Sequence, residues 1–188
     1  MLEVSLPEGW VFAKIKDVSL KCEQRKPSDD EQFLYIDIGS IERDLKIISN
    51  PQYLLGKNAP SRARKVVNTD DVLVSLTRPN LNAVAHVGKE FDKQIASTGF
   101  EVIKPLNTEG KYIFGLVRSK DFINAISDKV QGALYPAAKS SDVQEYEFPL
   151  PPIAEQKQIA AKLDELQTPE SGLYCCTNDV RVRHVLLY

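Results

Sequence analysis

Several residue types are scarce in this chain of 188 residues: three cysteines, two histidines, one methionine and one tryptophan. Cys22 stands alone and Cys175 and Cys176 are adjacent, so neither a disulfide framework nor a metal-ligand spacing follows. His86 and His184 are single and far apart, and His86 alternates with apolar neighbours, the setting of a structural histidine rather than of a base or ligand. No apolar run approaches the roughly 18 residues that a membrane span needs. Met1-Leu2-Glu3-Val4-Ser5 carries neither a basic region nor an apolar stretch. No signal peptide is read there, and a cytoplasmic location is the expectation. The phosphate-cradling pattern G-x-x-x-x-G-K-[ST] is missing, which leaves no reading of ATP-driven translocation. The Asn/Asp-Pro-Pro-Tyr motif and glycine-rich cofactor loop of adenine methyltransferases are missing too, because Pro151-Pro152 follows Leu150. The chain reads as non-catalytic, with no cofactor and no metal.

What is present is ordinary for a soluble globular chain: 43% hydrophobic and 27% charged residues, with a length that suits one core-bearing domain plus an appendage. The formal net charge is −2, but its distribution is uneven. Between Lys57 and Lys89 six basic residues face two acids, a net of +4, so the rest of the chain carries −6. A basic patch on an acidic body is a footprint for binding phosphates. A solvated face is the competing reading.

Local patterns predict mixed strands and short helices. Leu6-Pro7-Glu8-Gly9-Trp10 reads as a turn with an aromatic anchor at the edge of the core. The polar stretch from Glu23 to Glu31 reads as a loop. Phe33 to Ile38 is dense in β-formers and predicts a strand closed by Gly39. Leu45 to Ile48 predicts another. Val72, Val74 and Leu76 alternate with Leu73, Ser75 and Thr77, which predicts a strand with one buried and one partly polar face. Ala83 to Val87 and Phe100 to Ile103 predict further strands, and Thr77 to Asn82 a loop between two of them. Phe122, Ile123, Ile126 and Val130 have helical spacing. Glu145 to Leu150 alternates again, and the chain then runs Leu150-Pro151-Pro152-Ile153-Ala154-Glu155-Gln156-Lys157-Gln158-Ile159. The first proline ends a strand, and the second pre-sets φ for a first helical turn. Glu155 then lies where the helix dipole favours a negative charge. Ile159, Leu163 and Leu166 follow a four-then-three spacing, the start of a heptad seam.

The order of these blocks resembles the specificity subunits of type I restriction-modification systems. The blocks are Leu6 to Trp10, Tyr35 to Ile41, Ala63-Arg64-Lys65, Asp70 to Pro79, Ala96 to Phe100, Gly132 to Pro136 and the Leu150-Pro151-Pro152 junction. The resemblance runs from about Leu6 to Leu166. It implies an α/β (α+β) target-recognition domain over residues 1–150 and the start of a spacer helix over 151–166. Residues 167–188 read as an atypical tail that departs from the family's pattern. The resemblance further implies that such a domain reads one half of a bipartite site in double-stranded DNA. It implies docking on methyltransferase subunits and, through them, association with restriction subunits.

Sequence readout needs side chains that reach base edges from a platform fixed on phosphates. Arg pairs bidentately with guanine and Asn with adenine. The segment from Ser75 through Thr77, Arg78, Asn80 and Asn82 supplies such groups beside a strand. Lys57, Arg62, Arg64 and Lys65 are candidates for phosphate contacts, and Tyr135, Lys139 and Ser140 form a second candidate loop. Ile159, Leu163 and Leu166 are candidates for partner binding, although a helix this short is also expected to be held by its own domain. Two other readings stay open. Asp37, Asp44 and Lys46 could hold a metal and activate water as a nuclease does. A degenerate remnant that binds partner subunits without reading DNA is the other.

Overall fold

The structure is a computed structural model, and it describes residues 6–130 and 136–166. Two four-stranded sheets dominate the described residues. The first has the order β6 (Gln52–Leu55), β3 (Gln32–Ile36), β10 (Ile95–Ser97), β7 (Ala63–Val66). The β10–β3 pair is parallel and its neighbours are antiparallel. The second has the order β2 (Ser19–Leu20), β11 (Phe100–Pro105), β8 (Val72–Ser75), β9 (Val84–His86), antiparallel throughout.

One core lies between these sheets. Ile36 and Ala96 of the first sheet meet Leu73, Ala85, Phe100 and Val102 of the second. The other face of the second sheet carries the larger core. There Val72, Val74 and Ile103 pack against helices α1 (Gly110–Val117) and α2 (Lys120–Asp128), with Phe148 of β12 (Glu147–Leu150). The second sheet is thus a middle layer, and this corrects the reading of its central strand. Every residue of β8 is buried. The period of two is real, but its second face is covered by the first sheet instead of by water. Ser75, the polar residue on that strand, is buried with its hydroxyl donated to the Thr77 carbonyl at 3.0 Å.

Other elements depart from the sequence reading at their ends. The strand predicted to reach Ile38 stops at Ile36, because Asp37 caps a 3-10 turn at Ile38–Ser40 by accepting from the Ser40 N–H at 3.0 Å. The strand near Leu45 shrinks to β5 (Ile47–Ile48), the second arm of a hairpin with β4 (Ile41–Glu42). Helix α1 went unread. Two glycines and four β-formers stand in Gly110 to Val117, and it is burial on the sheet that makes the segment helical.

The chain closes with β1 (Val11–Lys14) paired antiparallel to β12, Val11 opposite Leu150. Pro152 caps α4 (Ile153–Glu165) with extended backbone, φ −53° and ψ 148°, and its carbonyl accepts from the Glu155 and Gln156 N–H groups. It therefore precedes the first helical residue instead of occupying it. Ile159 and Leu163 are buried in the same core as α1, and Ala160 is buried as well. That corrects the seam reading for Ile159 and Leu163: their apolar surface is taken up by their own domain. Leu166 is half-buried. The tail read over residues 167–188 lies outside the described residues.

Candidate nucleic-acid interface

The loop between β8 and β9 is held in an unusual shape. Arg78 and Asn82 both have left-handed backbone, with φ 50° and 44°, and they flank a 3-10 turn at Pro79–Leu81. Non-glycine residues seldom take this conformation. Several hydrogen bonds hold the loop there. Arg78 N–H donates to the Pro136 carbonyl at 2.9 Å, Ala138 N–H donates to the Leu76 carbonyl at 2.8 Å, and Thr77 bridges to Ala137. On the other side Lys46 Nζ donates to the Asn82 carbonyl at 2.6 Å.

The same hydrogen bonding runs further. Leu76 N–H donates to the Gly99 carbonyl, and Thr98 N–H donates to the Arg62 carbonyl, each at 2.9 Å. A continuous backbone ribbon therefore joins Arg62, the 98–99 turn, the Thr77–Arg78 loop and the 136–139 segment. Four stretches distant in sequence come together with Arg62, Thr77, Arg78, Asn80 and Lys139 exposed upon them. Ser140, half-buried, opens the short helix α3 (Ser140–Gln144), whose Asp142 carboxylate accepts from the Lys139 N–H at 2.8 Å. Among the described residues no carboxylate forms an ion pair with Arg62, Arg78 or Lys139. Tyr135 lies outside the described residues.

Not every predicted group joins this surface. Lys57 is exposed in a 3-10 turn after β6, on the far edge of its sheet from β7. That turn is tight: a Cβ on Gly56 would stand 1.8 Å from the Ser28 carbonyl oxygen. Arg64 is half-buried and donates to the Ala63 carbonyl at 2.9 Å. Lys65 is a correction. It is buried, and its ammonium meets Glu101 Oε2 at 2.9 Å while Gln144 Nε2 donates to the other carboxylate oxygen at 2.7 Å. An ammonium committed to a buried carboxylate is not a surface phosphate contact. Ser75 is removed from the surface by the same burial, and Asn82 is buried with neither side-chain polar atom hydrogen-bonded.

The nuclease candidates have structural occupations. Asp37 caps its turn and accepts from Gln52 Nε2 at 3.1 Å. Lys46 clamps the β8–β9 loop, and Asp44 is exposed in the β4–β5 turn. Among the described residues no group of three His, Cys, Asp or Glu is placed to hold a metal. Burial pushes the Cys22 thiol up to about 11, with the Lys104 ammonium pulling the other way. A thiol that high is protonated at neutral pH and unreactive.

Two contributors escaped the sequence reading. In the sequence Lys46 reads only as part of a nuclease-like triplet, and its hold on the Asn82 carbonyl needs the tertiary structure to be seen. The 98–99 turn lay inside a recognised block, Ala96 to Phe100, but its backbone role needs the tertiary pairing to be seen.

The family model described as "Type I restriction modification DNA specificity domain" matches residues 7–172. Among curated proteins the chain is 27% identical over 173 residues to the type I restriction enzyme EcoKI specificity subunit of Escherichia coli (strain K12), covering 86% of this chain and 37% of that protein. Among solved structures it is similar to the HsdS subunit from Thermoanaerobacter tengcongensis, at TM-score 0.82 and 39% identity, over 88% of this chain and 44% of that one. A structure described as the basis of complex assembly and conformational transition of the type I R-M system matches at TM-score 0.78 and 33% identity, over 89% and 45%. The type I S subunit from M. genitalium shares the fold at TM-score 0.51 and 15% identity. The chain spans less than half the length of these relatives. With most of its length matched by the family model and its α+β layers superposing on such subunits, the chain belongs to the family of type I restriction-modification DNA specificity domains.

Proposed function

We propose that this domain reads one half of a bipartite target in double-stranded DNA, as a non-catalytic part of a type I complex acting in the cytoplasm. Methyltransferase subunits are its direct partners, and restriction subunits associate through them. The observation that carries the reading is the backbone ribbon from Arg62 to Lys139, which gathers the exposed Arg62, Arg78 and Lys139 with the exposed amide of Asn80 around one loop. Arg62 and Lys139 supply phosphate contacts there, and Arg64 and Lys57 supply further ones beside it. Arg78 and Asn80 are the base-reading groups, with Thr77 beside them, because Pro79 and the left-handed ends hold the loop in one shape. Ser140, next to Lys139, adds a hydroxyl. A spacer role for α4 follows from its place at the end of the domain.

Selection of binding sites from random duplex DNA tests the proposal, and a short recurring half-site is the expected result. Arg78→Ala should then cost about 1–3 kcal/mol of discrimination at one base position. An equal loss on every sequence would make Arg78 a phosphate anchor, and the absence of any enriched sequence would defeat half-site reading.

A further inference from the structure

Two segments 145 residues apart meet where α4 begins. Trp10 is only 7% exposed, and its indole N–H donates to Glu155 Oε2 at 2.9 Å. A buried indole N–H needs such an acceptor. Gly9, at φ +80°, lets the same turn lie against the junction, since a Cβ there would stand 3.3 Å from Pro152 Cγ. The next residue of the helix makes the tighter joint. Gln156 is 2% exposed. Its Oε1 accepts from Thr108 Oγ1 at 2.7 Å and from the Glu109 N–H at 2.9 Å, while its Nε2 donates to the Pro151 carbonyl at 2.8 Å.

The chemistry of this residue is specific. Glu109 caps α1, so its N–H is one of the donors a helix start leaves without an internal partner. Gln156 satisfies that donor from another helix and at the same time holds the Pro-Pro step. A side-chain amide supplies an acceptor and a donor on separate atoms of one planar group, as these contacts require. A glutamate would turn a buried anion toward the Pro151 carbonyl, and a leucine would leave three polar groups without partners. Nearby, the Tyr112 hydroxyl donates to the Pro149 carbonyl at 2.8 Å, so α1 grips the strand before the prolines as well.

We propose that Glu155 and Gln156 are positioning residues that fix the direction in which α4 leaves the recognition domain, and through it the separation of half-sites. The inference rests on the spacer role proposed above for α4. A lever argument gives its scale. Thirteen helical residues extend about 20 Å, so a 10° tilt at the joint displaces the far end by about 3.5 Å, close to the ~3.4 Å rise of one base pair. A spacer that counts base pairs needs a joint stiffer than that. The buried Gln156 with its three hydrogen bonds, together with the Trp10–Glu155 bond, supplies it.

The test uses the free chain without DNA. Cys22, Cys175 and Cys176 are changed to serine, and spin labels are placed at Asn50 and Lys162, both exposed. The interlabel distance distribution should be narrow. Glu155→Ala and Gln156→Leu should each broaden it at least twofold or shift its mean by several ångströms, while Glu155→Gln, which keeps an acceptor for the indole, should restore the parent width. The indole N–H of Trp10, the single tryptophan, gives a second readout: its exchange with solvent should quicken at least tenfold in Glu155→Ala. An unchanged distribution in Glu155→Ala together with an unchanged or unfolded Gln156→Leu overturns the proposal. Because no DNA is present, failure here is separate from failure of half-site reading, which the selection experiment decides on its own.

Discussion

Asn82 illustrates how a residue can be chosen for its backbone. The sequence offers it as an adenine reader, yet its amide is buried with no hydrogen-bond partner and its φ is 44°. Asn tolerates the left-handed region better than other non-glycine residues. The backbone conformation, held by Lys46 at the carbonyl, is therefore what the position uses. Asn82→Gly should leave the protein more stable than Asn82→Ala by about 1 kcal/mol, because alanine meets the left-handed penalty and glycine does not. Urea midpoints of the two variants measure it, and the reverse order would assign the amide a contact of its own. His86 offers a second residue-scale test. Burial lowers its pKa from 6.5, Lys111 adds to that, and Asp70, Asp164 and Glu109 oppose it. Its Nε2 lies 3.3 Å from Asp70 Oδ1. A folded pKa below the unfolded one means that the unfolded chain takes up the proton first. The resulting stability is complete above about pH 6.5 and is lost as pH falls toward the folded pKa. His86→Gln should flatten the fall in stability between about pH 7.5 and 5.5. An unchanged slope would place the acid sensitivity elsewhere.

At the scale of elements, the α1–α4 contact decides what the last helix can do. Its seam residues were legible as a spacing, but the spacing did not say which surface they would meet. Gly115 answers that, because a Cβ there would stand 2.6 Å from Leu163 Cδ1. The two helices approach as closely as they do because this position carries no side chain. Gly115→Val should destabilise by about 1–3 kcal/mol through overpacking. Leu163→Ala should cost about 2–5 kcal/mol through the cavity it leaves. The double variant should fall short of the sum by at least about 1 kcal/mol, since the valine methyls enter the space the leucine vacates. Strict additivity would mean that the helices separate instead of interlocking. Strand β7 shows the complementary case for charge. Lys65 lies opposite Ala96 while Ala63 lies opposite Ser97, a register shift that breaks the period of two on β7. The burial of Lys65 is therefore set by the pairing of the strands and not by local alternation.

For the whole molecule, the net charge of −2 says little, because the cations that matter are gathered by topology. Duplex DNA binding should weaken with salt, with a slope near −0.9 for each phosphate contact. Replacing Arg62 and Arg64 together by Ala should lower that slope by about 2, equally on all sequences. Lys65→Ala should behave differently and lose about 3–5 kcal/mol of folding stability, because it strands the buried Glu101 carboxylate. Titration at several salt concentrations, with melting curves of each variant, distinguishes the two effects. An unchanged slope in the double variant would return that part of the surface to a solvated face.

Local chemistry was enough to locate the strands at Phe33, Val72, Ala83 and Phe100, the helix after Ser119, and the Pro-Pro step that opens α4. Each is a matter of near-neighbour sterics, period and capping, which a short window contains. The order of the motifs was enough to name the family. Which faces were covered was decided only by the tertiary structure. β8 reads as half-exposed until a second sheet lies across it, α1 gives no local reading until the sheet buries it, and Ile159 and Leu163 read as a partner seam until α1 fills it. The candidate surface depends on the same long-range pairing. Hydrogen bonds bring residues 62, 98, 78 and 136 onto one ribbon, and nothing within any one of those segments encodes the other three.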